Sequence, residues 1–223
     1  MRHHGGASKP WDDDFRSWIV KAEAEGKDPN DIGDFAWDDD PLKESLERFY
    51  YPYIEPTSVV LELGPGSGRA TRHIIGRCRE MVLVDYSKFV CQFLNGYLAG
   101  KGKFQTHHID RPAMPSVRSN SIDMALANGV FEHIGKDDML FFLEDFHRVL
   151  KLRGILSFNF DTLMSEGGFS WYQKFRGEPG HHCIFRFYHP DVVRRLGEAS
   201  GFEVREMTTD ESRFAHVVLQ KRA

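Results

Sequence analysis

Apolar residues along the chain change period several times, and each change marks an element. Val59-Val60-Leu61-Glu62-Leu63 is a β-branched apolar burst that stops at Gly64-Pro65-Gly66-Ser67-Gly68, the pattern of a buried strand entering a tight loop. A helix-compatible segment follows from Arg69 to Ile75. Similar bursts recur at 80–85, 103–107, 121–127 and 155–160. Helical stripes separate them: 87–95, then Met139, Leu140, Leu143, Phe146 and Val149, with Arg148 and Lys151 near the end that favours cations. Strands alternating with helices predict an α/β fold, a Rossmann-like, doubly wound, mostly parallel sheet.

Both ends of the chain depart from that rhythm. Residues 1–10, with His3 and His4, read as a tag or disordered leader and are set aside. Phe15, Trp18, Ile19 and Ala22 form one helical stripe before Gly26, and Asp40-Pro41 starts another with Leu42, Leu46, Phe49 and Tyr50. Residues 11–56 are thus an N-terminal helical extension, expected to serve as a lid. Trp-Asp-Asp-Asp at Trp11 and Trp37 is a coincidence of helix starts. Residues 57–223 form the main domain, with an aromatic insertion at 161–188. A helix over 190–200 stops at Gly201, and 202–207 with 216–219 make an antiparallel closing pair, bringing the expected strands to seven.

The loop after the first strand carries the chemistry. Gly64, Gly66 and Gly68 let the chain turn sharply and a ligand approach the backbone. A dinucleotide fingerprint wants glycine at its sixth position, where Arg69 stands. The loop therefore suits a nucleoside better than a pyrophosphate. Asp85 ends the second strand about 20 residues on, the distance at which a carboxylate reaches ribose hydroxyls. Asp110 and Asn128 follow the third and fourth strands, at the sheet edge where open α/β folds bind ligands.

Glu62 to Gly68, Val84-Asp85, Ile109-Asp110, Ser121-Ile122-Asp123 through Phe131-Glu132-His133, and Phe146 to Leu156 resemble the class I S-adenosylmethionine-dependent methyltransferases over roughly residues 59–220. The resemblance implies S-adenosyl-L-methionine as cofactor. Glu62, Gly64, Pro65, Gly66 and Gly68 would pack on its methionine part, and Asp85 with Tyr86 on the ribose. Ile109 and Asp110 would meet the adenine, and Asn128, Gly129 and Val130 would border the methyl group. One departure is Leu152-Arg153-Gly154 where the family has Lys-Pro-Gly-Gly; the turn is expected to rest on Gly154 alone.

Composition narrows the reading. The 223 residues carry a net charge of -4, with no basic footprint for a nucleic acid, no run of membrane-spanning length and no signal-peptide pattern. Cys78, Cys91 and Cys183 lack metal spacing and read as reduced thiols of a cytoplasmic protein. No metal site is assigned.

Transfer of an activated methyl group needs an in-line nucleophile and, for a hydroxyl, a general base. His133 is the first candidate, with a backbone-bonded histidine as the plain reading. His181 and His182 are second candidates, and Glu132 would orient a histidine, touch substrate or be structural. Trp171, Tyr172 and Phe175 are expected pocket walls able to stack on rings or sugars. The expected activity is methyl transfer to a small molecule, a hydroxyl of a saccharide or secondary metabolite. A nicotinamide-dependent oxidoreductase and a non-catalytic cofactor-binding module are the alternatives.

Overall fold

The computed structural model describes residues 8–35, 40–177, 185–209 and 212–222. Seven strands form one mixed sheet in the order β3-β2-β1-β4-β5-β7-β6, and the chain divides into two compact units, Met1–Ser116 and Val117–Ala223.

The first unit contains α1 (Ser8–Ala24), α2 (Ile32–Phe35), α3 (Asp40–Ser45), β1 (Val59–Leu63), α4 (Thr71–Ile74), β2 (Glu80–Asp85), α5 (Lys88–Tyr97) and β3 (Phe104–His108). β1–β2 and β2–β3 are parallel pairs, with Leu61 opposite Val82 and Val84 opposite His107. Every residue of β1 is buried, as its unbroken apolar run requires for a strand covered on both faces. The helix expected from Arg69 is shorter. The Gly68 N–H is engaged by the Pro65 carbonyl in a turn, so regular helix starts only at Thr71.

α1 lies on α5. Phe15 is buried, and its ring meets Phe93 at 4.9 Å and Phe89 at 5.7 Å, both edge-on. Asp34 of α2 is tied down as well: its Oδ1 accepts from the Tyr97 hydroxyl at 2.7 Å and from Arg72 Nη1 at 2.8 Å. Each such bond to a charged group contributes roughly 1.5–3 kcal/mol when sheltered, less where water competes.

The second unit contains β4 (Ile122–Ala127), α6 (Lys136–Val149), β5 (Leu150–Asp161), α7 (Glu166–Phe175), α8 (Pro190–Ala199), β6 (Phe202–Thr208) and β7 (Phe214–Lys221). β4 and β5 are parallel, and β7 runs antiparallel to both β5 and β6. α6 buries Met139, Phe142, Leu143, Phe146 and Val149, so Phe142 joins the predicted stripe while Leu140 is only half-buried.

Two details differ from the sequence reading. β5 starts at Leu150, directly after α6, and its ladder with β4 slips between Ile122 and Met124. The left-handed residue of that turn is Arg153, at φ 62, rather than Gly154. Gly154 is needed for space instead, because a Cβ there would lie 2.9 Å from the Lys151 carbonyl oxygen.

The aromatic insertion also holds a helix. Ser165 caps α7 by accepting the Gly168 N–H at 3.1 Å. Gly168 has no alternative residue, since a Cβ would fall 1.8 Å from the Thr162 carbonyl oxygen. Two glycines at the start of α7 masked its helical pattern in the sequence, because glycine lowers helix propensity.

Candidate functional site

In the first unit the site is built on the exits of β1 and β2. Gly64, Gly66 and Gly68 have φ of 66, 52 and 79, a left-handed path closed to most side chains. A Cβ on Gly66 would meet nothing within 4 Å, so that stretch of backbone faces open space. On Gly68 it would come 2.9 Å from the Tyr97 ring. One glycine leaves room for a ligand; the other lets the loop close onto α5.

Two acids face this loop. Glu62 is buried, and its Oε2 accepts from the Thr71 hydroxyl at 2.6 Å. Its Oε1 has no hydrogen bond among the described residues. Burial pushes the Glu62 carboxyl up to about 7, against the Thr71 bond and with help from the Asp85 charge. Asp85 accepts the Ser87 N–H at 2.7 Å; burial pushes it up to about 6, while backbone N–H groups of Ser87 and Gly66 pull the other way. Asp85 is not a helix cap, because the Ser87 hydroxyl accepts from the Val90 N–H and fills that role. The Ser87 hydroxyl also donates to Asp12 of α1, and the Asp12 charge adds to the rise at Asp85. Such carboxyls can accept from a diol or hold an ammonium. After β3, Ile109 is buried and Asp110 is exposed. Tyr86 and Pro65, beside the acid and in the loop, are a half-buried and a buried residue.

In the second unit the exit of β4 carries Asn128, Gly129 and Val130, all half-buried. The Gly129 N–H donates to Asn159 Oδ1 at 2.7 Å, which fixes the loop at φ 69. A single turn over Phe131–His133 follows. Glu132 is 4% exposed, and its Oε2 has no hydrogen-bond partner among the described residues. Burial pushes its carboxyl up to about 8, aided by the Asp161 charge and opposed by Arg213. His133 Nε2 lies 3.9 Å from Glu132 Oε1, and its ring is 5.2 Å from that of Phe185.

The sequence reading missed a central part of this cluster. Asp161, fully buried at the end of β5, receives Arg213 through two bonds of 2.7 Å, from Nε to Oδ1 and from Nη2 to Oδ2. This forked geometry is the strong form of the ion pair. The guanidinium carbon lies 4.1 Å from the Trp171 ring centroid and 5.1 Å from that of Phe185. Arg213 Nη2 is 4.0 Å from Glu132 Oε1. The available signal was an acid at a strand end, the same signal that marked Asp85; stopping β5 at residue 160 hid it. Trp171, Tyr172 and Phe175 all project from α7 and are half-buried. Trp171 packs on Phe175 at 4.1 Å, whereas Tyr172 turns to Phe187 at 5.7 Å. His181 and His182 lie outside the described residues. Among the described residues no group of three metal-ligating side chains forms, and no helix is long and apolar enough to cross a membrane.

A mostly parallel seven-stranded sheet with a left-handed glycine loop after β1 and an acid after β2 is a Rossmann-like arrangement. Residues 61–158 match the family model for a methyltransferase domain. Over that stretch the chain resembles a methyltransferase domain, whose cofactor is S-adenosyl-L-methionine.

Solved structures share the fold. A chain of the Haloferax volcanii complex between the Trm112 methyltransferase activator and the putative methyltransferase superposes with TM-score 0.66 at 17% identity, over 94% of this chain and 98% of that one. A possible exported protein of Bordetella parapertussis gives 0.64 at 18%, over 82% of this chain; the present chain spans only 66% of that protein. A SAM-dependent methyltransferase of Methanosarcina mazei gives 0.63 at 15%, over 78% and 97%. At these identities the likeness concerns the fold. Comparison with curated proteins gives no match.

Proposed function

We propose that this enzyme methylates a hydroxyl group of a small molecule, a saccharide or secondary metabolite, with His133 as general base. In this reading the first unit holds the cofactor. Glu62 takes the ammonium of the methionine part, Gly64, Pro65, Gly66 and Gly68 shape the cradle, and Asp85 with Tyr86 receives the ribose hydroxyls. Ile109 packs on the adenine, and Asp110 accepts from its amine. The observation behind this assignment is the pairing of an open backbone face at Gly66 with two acids, one of which keeps an oxygen free of hydrogen bonds. When bound, the cofactor supplies a methyl group already activated by its sulfonium.

The protein's remaining work is to orient the acceptor, exclude water and remove a proton. Asn128, Gly129 and Val130 border the methyl group. His133 accepts the hydroxyl proton at a ring nitrogen, with the buried Glu132 carboxyl 3.9 Å away. Trp171 and Phe175 provide the aromatic wall. α1 and α2 act as a lid, held by Phe15, Asp12 and Asp34. The proposal is supported by the place of His133 in the single turn after the β4 exit loop, beside Glu132 and Phe185.

The test is turnover of S-adenosylmethionine to S-adenosylhomocysteine with panels of hydroxyl and amine acceptors. His133→Ala should lower kcat at least about a hundredfold, the usual scale for a lost general base, while cofactor affinity measured by calorimetry holds. Full activity in that variant would remove the base, and turnover of amines alone would replace the acceptor class.

A further inference from the structure

The second unit contains an excess of hydrogen-bond donors that the methyl-transfer reading leaves unused. Arg213 spends Nε and Nη2 on Asp161, and its Nη1 makes no hydrogen bond among the described residues. The indole Nε1 of Trp171 is buried and has no partner among the described residues, although its ring lies against the same guanidinium at 4.1 Å. Glu132 adds a third orphan, Oε2, on a side chain that is 4% exposed and whose other oxygen is 4.0 Å from Arg213. A buried polar atom without a partner carries a desolvation cost, and folds rarely keep several around one group without use.

The charges specify the missing partner. Asp161 neutralises Arg213, and burial keeps Glu132 protonated around pH 7, so it too presents an O–H. Guanidinium N–H, indole N–H and carboxyl O–H are all donors, while both Asp161 oxygens are already taken by Arg213. A hydroxyl or amine would bring another donor hydrogen into a donor-rich place. An oxygen that only accepts would satisfy it, and the rings of Trp171, Phe175 and Phe185 give that oxygen an apolar, flat surround.

We propose that Arg213, Trp171 and Glu132 form a subsite for an acyl oxygen, carboxylate or carbonyl, on the methyl acceptor, with Asp161 fixing the guanidinium. The subsite rests on the methyltransferase reading and narrows its substrate to small molecules bearing an acyl group. Arg213 and Trp171 touch the acceptor away from the atom that is methylated. They set specificity and take no part in proton removal.

The test uses the full chain with S-adenosylhomocysteine added and four probes: benzoate, benzamide, benzyl alcohol and benzylamine. Binding is read by calorimetry or ligand-observed magnetic resonance. Benzoate or benzamide should bind at least about tenfold more tightly than the alcohol and the amine; which of the two leads separates a carboxylate acceptor from a neutral carbonyl one. Trp171→Phe keeps the ring and deletes the N–H, and should erase most of that preference. Arg213→Lys, which keeps a cation for Asp161, should do the same. Equal binding of all four probes, or a preference that survives Trp171→Phe and Arg213→Lys alike, overturns the subsite. S-adenosylhomocysteine binding is recorded in each protein. Its loss in the parent would count against the cofactor reading, whereas its retention with no acyl preference counts against the subsite alone.

Discussion

Replacing Glu132 by glutamine should change how stability depends on pH, and the size of the change follows from burial. The Glu132 carboxyl sits in the second unit with its Oε2 unpartnered and is pushed from 4.5 up to about 8. The folded protein therefore keeps a proton that the unfolded chain has released. Stability from this group is complete below the unfolded value and is lost as pH rises from there to the folded value. Each pKa unit is about 1.4 kcal/mol, so roughly 3 kcal/mol disappears between about pH 5 and pH 8. Glutamine has the same shape and no proton to lose. Its amide also lacks a partner at that position, a cost independent of pH that cancels when one protein is compared with itself at two pH values. Urea denaturation of parent and Glu132→Gln at about pH 5 and pH 8 gives the two differences. The parent should lose more stability than the variant by roughly 3 kcal/mol over that interval. Parallel losses in the two proteins would mean that Glu132 ionises normally, and the argument from its burial would fail.

Other changes probe the first unit. Asp85→Ala should weaken S-adenosylmethionine binding by about 1.5–3 kcal/mol, the scale of charge-assisted hydrogen bonds; unchanged affinity by calorimetry would remove Asp85 from the site. Gly68→Ala places a methyl 2.9 Å from the Tyr97 ring at φ 79, so a loss of at least about 1 kcal/mol in urea denaturation is expected from the backbone alone, with weaker cofactor binding. Tyr97→Phe deletes the hydroxyl that holds Asp34 at 2.7 Å. Proteolysis within residues 11–56 should then quicken several-fold while the main domain persists, and an unchanged rate would show that Asp34 does not anchor the extension.

Those residues also show which parts of the molecule were legible from sequence. The loop at Gly64–Gly68 was readable because its requirement is local: φ between 52 and 79 at three positions can be met cheaply only by glycine. The strand-end acid Asp85 was readable for the same reason, since β2 announces itself and then stops. The closing strands and the start of α8 at Pro190 follow from neighbouring residues too. α7 was hidden because Gly167 and Gly168 interrupt its pattern, and Gly168 answers to the Thr162 carbonyl rather than to the helix. The slip at the start of β5 was hidden because Arg153 adopts φ 62, a conformation its residue type does not advertise.

Arg213 was the least legible residue, and the sheet explains why it is where it is. In a run of parallel strands every carboxyl end, with its acid, collects at one edge, and no strand in that run begins there. β7 reverses direction, pairing Asp161 of β5 with Phe214 at its own first residue. The residue just before β7 is therefore delivered to the edge where β5 ends, even though 52 positions separate Arg213 from Asp161. An antiparallel last strand is thus the means by which this fold brings a cation from the far end of the chain to an acid at the exit of β5. The same reversal sets the cation beside Glu132, whose carboxyl would otherwise face Asp161 with no positive charge to moderate it. The antiparallel direction was legible in the sequence, but the strand begins at Phe214 and not at 216, and those two residues of difference are what bring Arg213 to that edge.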